Sequence, residues 1–429
     1  MVKNCMYFFT NIQGVPPAAA LPGGWRSCRW FVFQGGLCYF CLHEDRFITT
    51  PAALSLVPPY IESLQAYVPG KPIDEVRREL GLGKVIKLAS NENPFGPSPM
   101  AVAALEPRFG ELHLYPNGGY DLRVRLAGLY KLSPENVIAG SGSEAIMATI
   151  IRTFLNDDDE VLTTEAAFIG FQVLAKSRGV PYRTVPYREW RYDLNAIAGA
   201  ITKRTKIIYL ANPNNPTGTV FTREEFDAFY RRVPERVLII MDEAYWEYAR
   251  DDAEFPDSMK YRYDNVITLR TFSKVYGLAG LRIGYGFAHA ELIRNLLKVK
   301  LPFEPSTLAQ AAGLAALEDG GFVERTLANN REGRDYLTGA LKELGLDVAH
   351  SRANFVMFPL RDEEEVNRVY DGMLRQGVIV RPLRGFGLPR CIRITVGTRE
   401  ENRAAIGALG TVLRARHDSH ARHAPHAPQ

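Results

Sequence analysis

The sequence predicts an α/β protein in which a large domain, built on a mostly parallel sheet flanked by helices, is joined to a smaller α+β domain. Two observations lead to this fold class. Short apolar runs recur, each bounded by polar or turn residues and each as long as a strand buried on both faces; they lie at 160–164, 206–210, 237–241 and 266–269. Helical stretches such as 222–232 lie between several of these runs, and such alternation is typical of a parallel sheet.

The smaller domain is predicted from a change of pattern after residue 286. Two helical stretches come first, and two strands then enclose a third helix; these elements are expected at 291–300, 308–317, 354–358, 363–376 and 391–396. The last helix opens with a capping-box pattern, in which Thr398 and Glu401 would satisfy each other's backbone donors. We therefore predict an arm at 56–95 that contributes to the small domain, a large domain at 96–300 and the small domain at 301–413.

The two ends of the chain differ from its body. Residues 1–55 contain no apolar run that approaches the about 20 residues of a membrane-spanning helix, and we expect a poorly ordered extension. Cys38 and Cys41, with His43, invite a metal site, but a structural zinc site needs a second pair of ligands, which is missing, so we predict no metal. The tail at 414–429 is rich in His, Arg, Ala and Pro without apolar periodicity and is predicted to be disordered.

Composition and charge exclude several classes of partner. A content of 46% hydrophobic and 23% charged residues is that of a soluble globular protein. The net charge of +4 over 429 residues is weak and gives no reason to expect nucleic acid or a membrane surface as a partner. Four of the five cysteines fall within the first 41 residues, so the body cannot form a disulfide framework, and we expect a reducing compartment, the cytoplasm.

Polar side chains follow three successive predicted strands. The run at 206–210 leads into Asn215, the run at 237–241 into Asp242 and Tyr245, and the run at 266–269 into Lys274. In open α/β sheets, ligands bind outside the carboxyl ends of the strands. The sequence therefore predicts a site at which an amide, a carboxylate and an amine meet at one edge of the sheet.

These residue types suit a specific chemistry. Lys274, just past a buried strand, would be partly desolvated, which lowers its pKa and leaves an amine that can attack a carbonyl carbon. Burying the Asp242 carboxylate without a partner would cost free energy. A protonated pyridine nitrogen would be a suitable partner. The alternative role for Asp242 is to cap the N-terminus of a helix. Asn215 and Tyr245 could hydrogen-bond the 3-oxygen of that ring. A phosphate would suit the group formed by Thr271, Ser273 and Arg282.

A second phosphate-binding feature is open to another interpretation. Residues 140–145 open an apolar helix with small side chains, so that backbone N–H groups at its N-terminus can approach a phosphate. The same stretch fits the dinucleotide fingerprint, with acidic residues at 157–159, and the rival hypothesis is therefore a nicotinamide-dependent dehydrogenase. That hypothesis leaves Lys274, Asp242 and Asn215 without a purpose, and we disfavour it.

Three motifs, at 215–218, 242–245 and 273–282, together resemble those of the fold-type I pyridoxal phosphate enzymes, specifically the class I/II aminotransferases. The resemblance runs from about residue 57 to residue 413. Within that group the chain is similar to the histidinol-phosphate aminotransferases in four stretches, at 69–72, 88–94, 114–116 and 392–402.

The resemblance implies ping-pong transfer of an amino group between L-histidinol phosphate and 2-oxoglutarate, giving imidazole-acetol phosphate and L-glutamate, in histidine biosynthesis. The nearest alternative is an aromatic-amino-acid aminotransferase on the same scaffold. A regulator that keeps a pyridoxal phosphate domain ranks last, because the first 50 residues do not resemble a helix-turn-helix head.

The resemblance also implies the role of each site residue. Lys274 would hold pyridoxal 5′-phosphate as a Schiff base and move a proton, Asp242 would pair with the pyridine nitrogen, and Asn215 with Tyr245 would bind the 3-oxygen. The cofactor phosphate would be held by Ser143, Glu144, Thr271, Ser273 and Arg282.

The remaining roles concern the ring, the partner subunit and the substrate. Phe168 would stack on the ring, or be simple core. Tyr115 would reach the phosphate from the neighbouring subunit of a homodimer. Arg393 would grip the substrate's carboxylate or phosphate, helped by Arg381 unless that residue forms a surface ion pair, and Tyr67 would lie at the substrate mouth.

Two departures from the family pattern stand out. Val275 replaces a small residue directly after the lysine and is expected to crowd that turn. Ala166 and Ala167 precede Phe168 where a proline is common, so that loop is expected to be placed differently.

Overall fold

The structure is a computed structural model that describes residues 28–33, 36–41, 56–66, 70–260 and 264–421, with the backbone alone for 28–33, 36–41, 260 and 416–421. The described strands are β1 (Cys28–Phe33), β2 (Gly36–Cys41), β3 (Ile86–Lys87), β4 (Val137–Gly140), β5 (Glu160–Thr164), β6 (Tyr182–Val185), β7 (Thr205–Ala211), β8 (Leu238–Asp242), β9 (Val266–Thr271), β10 (Gly284–Phe287), β11 (Phe355–Pro359), β12 (Val378–Ile379), β13 (Arg381–Pro382) and β14 (Cys391–Thr395).

The described helices are α1 (Pro59–Glu62), α2 (Ile73–Leu80), α3 (Pro99–Ala103), α4 (Tyr120–Tyr130), α5 (Ser143–Phe154), α6 (Ile169–Ser177), α7 (Leu194–Gly199), α8 (Arg223–Tyr230), α9 (Trp246–Ala249), α10 (Ala290–Val299), α11 (Thr307–Ala316), α12 (Gly320–Glu343), α13 (Glu363–Arg375) and α14 (Arg399–Ala421).

The chain divides into two compact units, Met1–Glu62 and Ser63–Gln429. In the first unit, β1 and β2 form an antiparallel hairpin, with Cys28 opposite Cys41. The rest of the predicted extension at 1–55 lies outside the described residues, as do the side chains of Cys38, Cys41 and His43.

A seven-stranded sheet dominates the second unit, with the strand order β4-β10-β9-β8-β7-β5-β6. The pairs β5–β6, β5–β7, β7–β8 and β8–β9 are parallel, whereas β10 runs antiparallel to β4 and β9. The predicted fold class is confirmed, and the four apolar runs correspond to β5, β7, β8 and β9. Each of these strands is buried along nearly its whole length, which favours apolar side chains, although β5 also buries Glu160 and β9 also buries Arg270.

The sequence did not predict β6 or β10. β6 is an edge strand that begins with polar and half-buried residues, so it has no apolar run. β10 reads Gly-Tyr-Gly-Phe, and glycine is depleted in strands. Its glycines are needed because a Cβ atom on Gly284 would lie 2.3 Å from the backbone nitrogen of Ser143, and one on Gly286 would lie 2.8 Å from Cδ2 of Leu269.

Helices cover both faces of this sheet. One face packs against α5, α6 and α10 through a core that includes Ile146, Phe171 and Leu296. The other face packs against α7 and α8 through a core that includes Ile197 and Phe226. The site edge of the sheet is therefore held by packing on both sides.

A second core forms around smaller sheets. The order β11-β14-β13 makes one sheet, and β3 pairs in parallel with β12. Ile86 of β3 packs in the same core as Phe358, Val366, Ile392 and Leu409. The predicted capping box is present, since the backbone nitrogen of Thr398 donates to Glu401 at 2.8 Å and that of Glu401 to the Thr398 hydroxyl at 3.3 Å.

Two predictions about the boundaries need comment. The division at residue 300 stays a prediction, and Ala309 and Ala312 of α11 pack with Leu122 and Phe272 beside the large sheet. The disorder expected at 414–429 also stays a prediction, and the backbone of α14 is helical to Ala421. Within the described ranges, no helix is long and apolar enough to cross a membrane.

Candidate active site

The carboxyl ends of β7, β8 and β9 open into a cavity of about 270 Å³. Its walls come from strand ends, from the start of α5 and from the loop after β3. Most of the residues that the sequence predicted for the site line this cavity: Ser143, Glu144, Phe168, Asn215, Asp242, Tyr245, Thr271, Ser273, Lys274 and Arg282. The predicted convergence of an amide, a carboxylate and an amine at one edge of the sheet is therefore observed.

Asp242 ends β8 and is buried, with 5% of its surface exposed. The Tyr209 hydroxyl donates to its Oδ2 at 2.6 Å, and the backbone nitrogen of Ala244 donates to its Oδ1 at 3.1 Å. Burial raises the pKa of Asp242 to about 6, although these two donors favour the carboxylate. The carboxyl group is therefore mostly ionised at neutral pH and is poised to pair with a cationic N–H group.

Lys274 lies three residues beyond β9 and is partly buried, with its Nζ atom 5.5 Å from the centroid of the Tyr245 ring. Burial, together with the positive charge of Arg393, lowers the pKa of Lys274 to about 8. A substantial fraction of this amine is thus neutral near physiological pH, which is the form that acts as a nucleophile or base.

The phenol of Tyr245 is fixed by a residue that the sequence analysis did not assign to the site. Asn91 donates from its Nδ2 to the Tyr245 hydroxyl at 2.8 Å, and its own backbone nitrogen donates to the Thr395 hydroxyl at 3.0 Å. Burial raises the pKa of Tyr245 to about 12, so the phenol keeps its proton and can donate a hydrogen bond into the cavity.

Small groups and hydrogen-bond donors surround one end of the cavity. The helix α5 begins after Gly142 without a side-chain cap, so the first amides, at Ser143 and Glu144, are available to an anion. Thr271 and Ser273 are buried and hydrogen-bonded to each other at 3.0 Å.

The guanidinium of Arg282 completes this end. Its Nη2 lies 3.9 Å from Glu144, a half-exposed and therefore weak ion pair. Gly142 has φ +86°, which L side chains rarely adopt, and a Cβ atom there would lie 2.8 Å from Nη2 of Arg282, so a side chain at this position would be strained and would displace the guanidinium. These donors suit a phosphate group.

The two departures from the family pattern are accommodated. Val275 is fully buried among apolar residues that include Phe272 and Ile283, so it fills core space after the lysine. Ala166 adopts φ +49°, a region that non-glycine residues seldom occupy, and Phe168 still lines the cavity.

Arg393 and Arg381 lie beside the cavity, on neighbouring strands. Arg393 is buried and donates to Oδ1 of Asn215 and, at 3.0 Å, to the carbonyl of Ala89. Arg381 of β13 is the direct partner of Arg393 of β14 in the antiparallel register, so both side chains leave the same face of the sheet.

Arg393 and Arg381 do not line the cavity itself, and neither does Tyr115. Tyr115 is 80% exposed and stacks on Phe303, with the ring centroids 4.2 Å apart, and it does not line the cavity of its own chain. Tyr67 lies outside the described residues.

Sequence reasoning also missed residues that do belong here. Tyr209 lies inside an apolar strand, where nothing distinguishes its hydroxyl from that of a core tyrosine. Ser90 and Glu92 line the cavity, and Asn91 lies between them. The sequence analysis noted the stretch that contains these three residues, but it assigned no role to them.

Comparisons with known proteins agree with this geometry. Residues 83–409 match the family described as aminotransferase class I and II. The chain is 45% identical over 368 residues to the histidinol-phosphate aminotransferase of Anaeromyxobacter sp. (strain Fw109-5), covering 84% of this chain and 100% of that relative. It is also 45% identical to the histidinol-phosphate aminotransferase of Moorella thermoacetica, covering 82% of this chain and 92% of that relative.

A solved structure is similar as well. The crystal structure of histidinol-phosphate aminotransferase from Sinorhizobium meliloti in complex with pyridoxal-5′-phosphate superimposes with a TM-score of 0.76 at 30% identity, covering 86% of this chain and 100% of that one. Because the family match spans most of the chain and a relative is matched over its whole length, this protein belongs to the class I and II aminotransferases.

Proposed function

We propose that this protein transfers an amino group between L-histidinol phosphate and 2-oxoglutarate, with pyridoxal 5′-phosphate as its cofactor. The observation that carries the proposal is the cavity at the strand ends, which brings Lys274, whose pKa is lowered, and the buried carboxyl group of Asp242 together with Arg282. The identity of the substrate is supported by the names of the relatives, which match over most of this chain.

The residues of the cavity fit the cofactor. The amides of Ser143 and Glu144, the hydroxyls of Thr271 and Ser273, and Arg282 would hold its phosphate, in the space that Gly142 leaves open. Its ring nitrogen would pair with Asp242, its 3-oxygen with Asn215 and Tyr245, and its ring face with Phe168. Lys274 would attach to its aldehyde carbon.

When bound, pyridoxal phosphate withdraws electrons from the bond that breaks at the substrate's α-carbon and stores the amino group between half-reactions. The chain's own groups prepare the site for this chemistry. Asp242, ionised above a pKa of about 6, would keep a facing N–H protonated. Tyr245 stays a phenol at neutral pH and donates a hydrogen bond. Lys274, with a pKa of about 8, can accept a proton on Nζ and return it to a neighbouring carbon.

The substrate's anionic group would be bound by Arg393 and Arg381. A phosphate carries up to two negative charges, and two adjacent guanidinium groups match it better than one does. A carboxylate, as in glutamate, would be bound by the same pair when 2-oxoglutarate or glutamate enters in the second half-reaction. Tyr67 is proposed for the mouth of the same site.

We also propose that the working unit is a homodimer, in which Tyr115 reaches the cofactor phosphate of the partner. The exposure of Tyr115 supports this proposal, since it is surrounded along the chain by the exposed apolar residues Phe109, Leu112 and Leu114. The proposed compartment is the cytoplasm, on the grounds of the cysteine distribution.

A spectroscopic experiment tests the substrate. Purified protein is loaded with pyridoxal phosphate, L-histidinol phosphate or L-phenylalanine is added separately, and the visible absorbance of the bound cofactor is followed. Rapid loss of this absorbance with histidinol phosphate alone supports the proposal. Preferential loss with phenylalanine would move the enzyme to aromatic amino acids, and protein that acquires no cofactor absorbance would overturn the assignment of the site.

A further inference from the structure

Phe386 lies against both arginines of the proposed substrate site. The centroid of its ring is 5.5 Å from Cζ of Arg393 and 5.7 Å from Cζ of Arg381. Since these arginines are direct cross-strand partners, a single aromatic ring borders a pair of adjacent, like-charged groups.

The position of Phe386 is fixed by its surroundings. It is 5% exposed and ends a 3-10 helix, Arg384–Phe386, after which Gly387 turns the chain at φ +85°. Its ring belongs to an apolar cluster with Met357, Leu383 and Cys391. The ring is therefore held by the core and cannot easily follow a moving arginine.

A strained turn packs on the same cluster. Glu189 and Trp190 have φ +52° and φ +65°, a backbone region that non-glycine residues rarely adopt. Trp190 packs, partly buried, against the cluster that contains Phe386. A strained backbone persists where the surrounding packing determines it, and here the turn brings Trp190 against the apolar cluster that holds Phe386.

The arrangement has an electrostatic consequence. Two neighbouring guanidinium groups repel each other and would spread apart in a flexible site. The face of an aromatic ring is negative, and a cation within about 6 Å of its centroid is attracted to it. Cζ of Arg393 also lies 5.1 Å from the centroid of the Phe355 ring, but Phe386 borders both arginines. Phe386 thus offsets the repulsion between the two guanidinium groups before an anion arrives, which reduces the ordering cost of binding.

We propose that Phe386 is a positioning residue that sets the orientation of Arg381 and Arg393 and so determines the affinity for the substrate's anionic group. This inference rests on the proposed function, in which the two arginines bind that group. Phe386 touches no reacting atom, so its loss acts on binding and leaves the chemical step intact.

The test compares Phe386→Leu with the matched variant Phe358→Leu. Phe358 is also buried and lies on β11, in the core of the small sheet. For Phe386→Leu we expect KM for L-histidinol phosphate to rise about tenfold while kcat stays within about threefold. Phe358→Leu should leave KM unchanged, and Phe386→Tyr, which keeps the aromatic face, should stay close to the wild-type KM.

The measurements separate this inference from the proposed function. If the wild-type enzyme prefers L-phenylalanine, the proposed substrate is wrong, and the same comparison of KM is made with phenylalanine, whose carboxylate would then be the anion. If Phe386→Leu does not fold, Phe386→Met takes its place. An unchanged KM in Phe386→Leu (or in Phe386→Met, where that variant replaces it), a loss confined to kcat, or an equal rise in KM for Phe358→Leu would each overturn the inference.

Discussion

The phenol of Tyr209 donates a hydrogen bond of 2.6 Å to Oδ2 of Asp242, although 33 residues separate the two in sequence. Tyr209 is fully buried, and its ring stacks on Phe171 with the centroids 4.1 Å apart. The donor is therefore rigid. Burial raises the pKa of Asp242 to about 6, and the hydrogen bond from Tyr209 acts in the opposite direction by favouring the carboxylate.

Replacing Tyr209 with Phe should weaken cofactor binding. Without the donor, the pKa of Asp242 rises further and less of the carboxylate is available to pair with a protonated ring nitrogen. We expect the affinity for pyridoxal phosphate to fall about tenfold, as for the loss of one hydrogen bond to a charged group. Equilibrium dialysis of the apoprotein measures this affinity. Tyr285→Phe is the matched control, since Tyr285 is fully buried and its hydroxyl has no hydrogen-bond partner among the described residues.

Replacing Lys274 with Ala should abolish turnover. The variant loses both the attachment point and the proton acceptor, so we expect the rate with added cofactor to fall by at least about a thousandfold. Steady-state assays of amino transfer measure this loss, and Lys298→Ala on the exposed face of α10 serves as the control. A Lys274→Ala variant that still turned over at a comparable rate would remove the central assignment of the site.

The pKa of Lys274 predicts a pH dependence for cofactor attachment. Only the neutral amine attacks the aldehyde, so the rate should rise as the pH approaches about 8 and level off above it. Stopped-flow absorbance of apoprotein mixed with pyridoxal phosphate, between about pH 6.5 and 9.5, gives the profile. The charge of Arg393 helps to lower this pKa, so the midpoint should move to higher pH in Arg393→Gln. A rate independent of pH would contradict the assignment.

Glu247 provides a prediction about stability. It is 2% exposed, and neither of its carboxylate oxygens is hydrogen-bonded to another described residue. Burial raises its pKa from 4.5 to about 7 in the folded protein. The pKa of Glu247 is thus higher in the folded than in the unfolded protein. Its contribution to the free energy of unfolding is therefore fully present below about pH 4.5 and is lost as the pH rises through about 7.

Glu247→Gln should therefore stabilise the protein at pH 8 by about 1–3 kcal/mol and have little effect near pH 5. Urea unfolding of the cofactor-loaded protein at the two pH values measures the difference. The matched control is Glu243→Gln, four residues earlier in the chain, whose carboxylate lies 2.8 Å from the fully buried Arg270. Breaking that pair should destabilise the protein by about 3–5 kcal/mol. A Glu247→Gln variant less stable than the wild type at pH 8 would contradict the prediction.

The sequence alone determined the elements that leave a local signature. The runs that became β5, β7, β8 and β9 are apolar because both faces of each strand are covered. The ends of three parallel strands necessarily meet at one edge, so Asn215, Asp242 and Lys274 could be brought together from their positions in the chain. The capping box at Thr398 is a pattern of neighbouring residues and was predicted for the same reason.

Other features depend on contacts between segments that are remote in sequence. Asn91 reaches Tyr245 across 154 residues, and no local pattern predicts this contact. The glycine-rich β10 is a strand because β4 and β9 pair with it on both sides.

Arg381 becomes the neighbour of Arg393 only through the register of β13 and β14, and Phe386 meets both only because the core fixes its ring. Sequence patterns specify what a segment buries and where its polar groups emerge. The partner that each side chain meets is decided by tertiary packing, because a contact between distant segments exists only after the sheets and helices have been brought together.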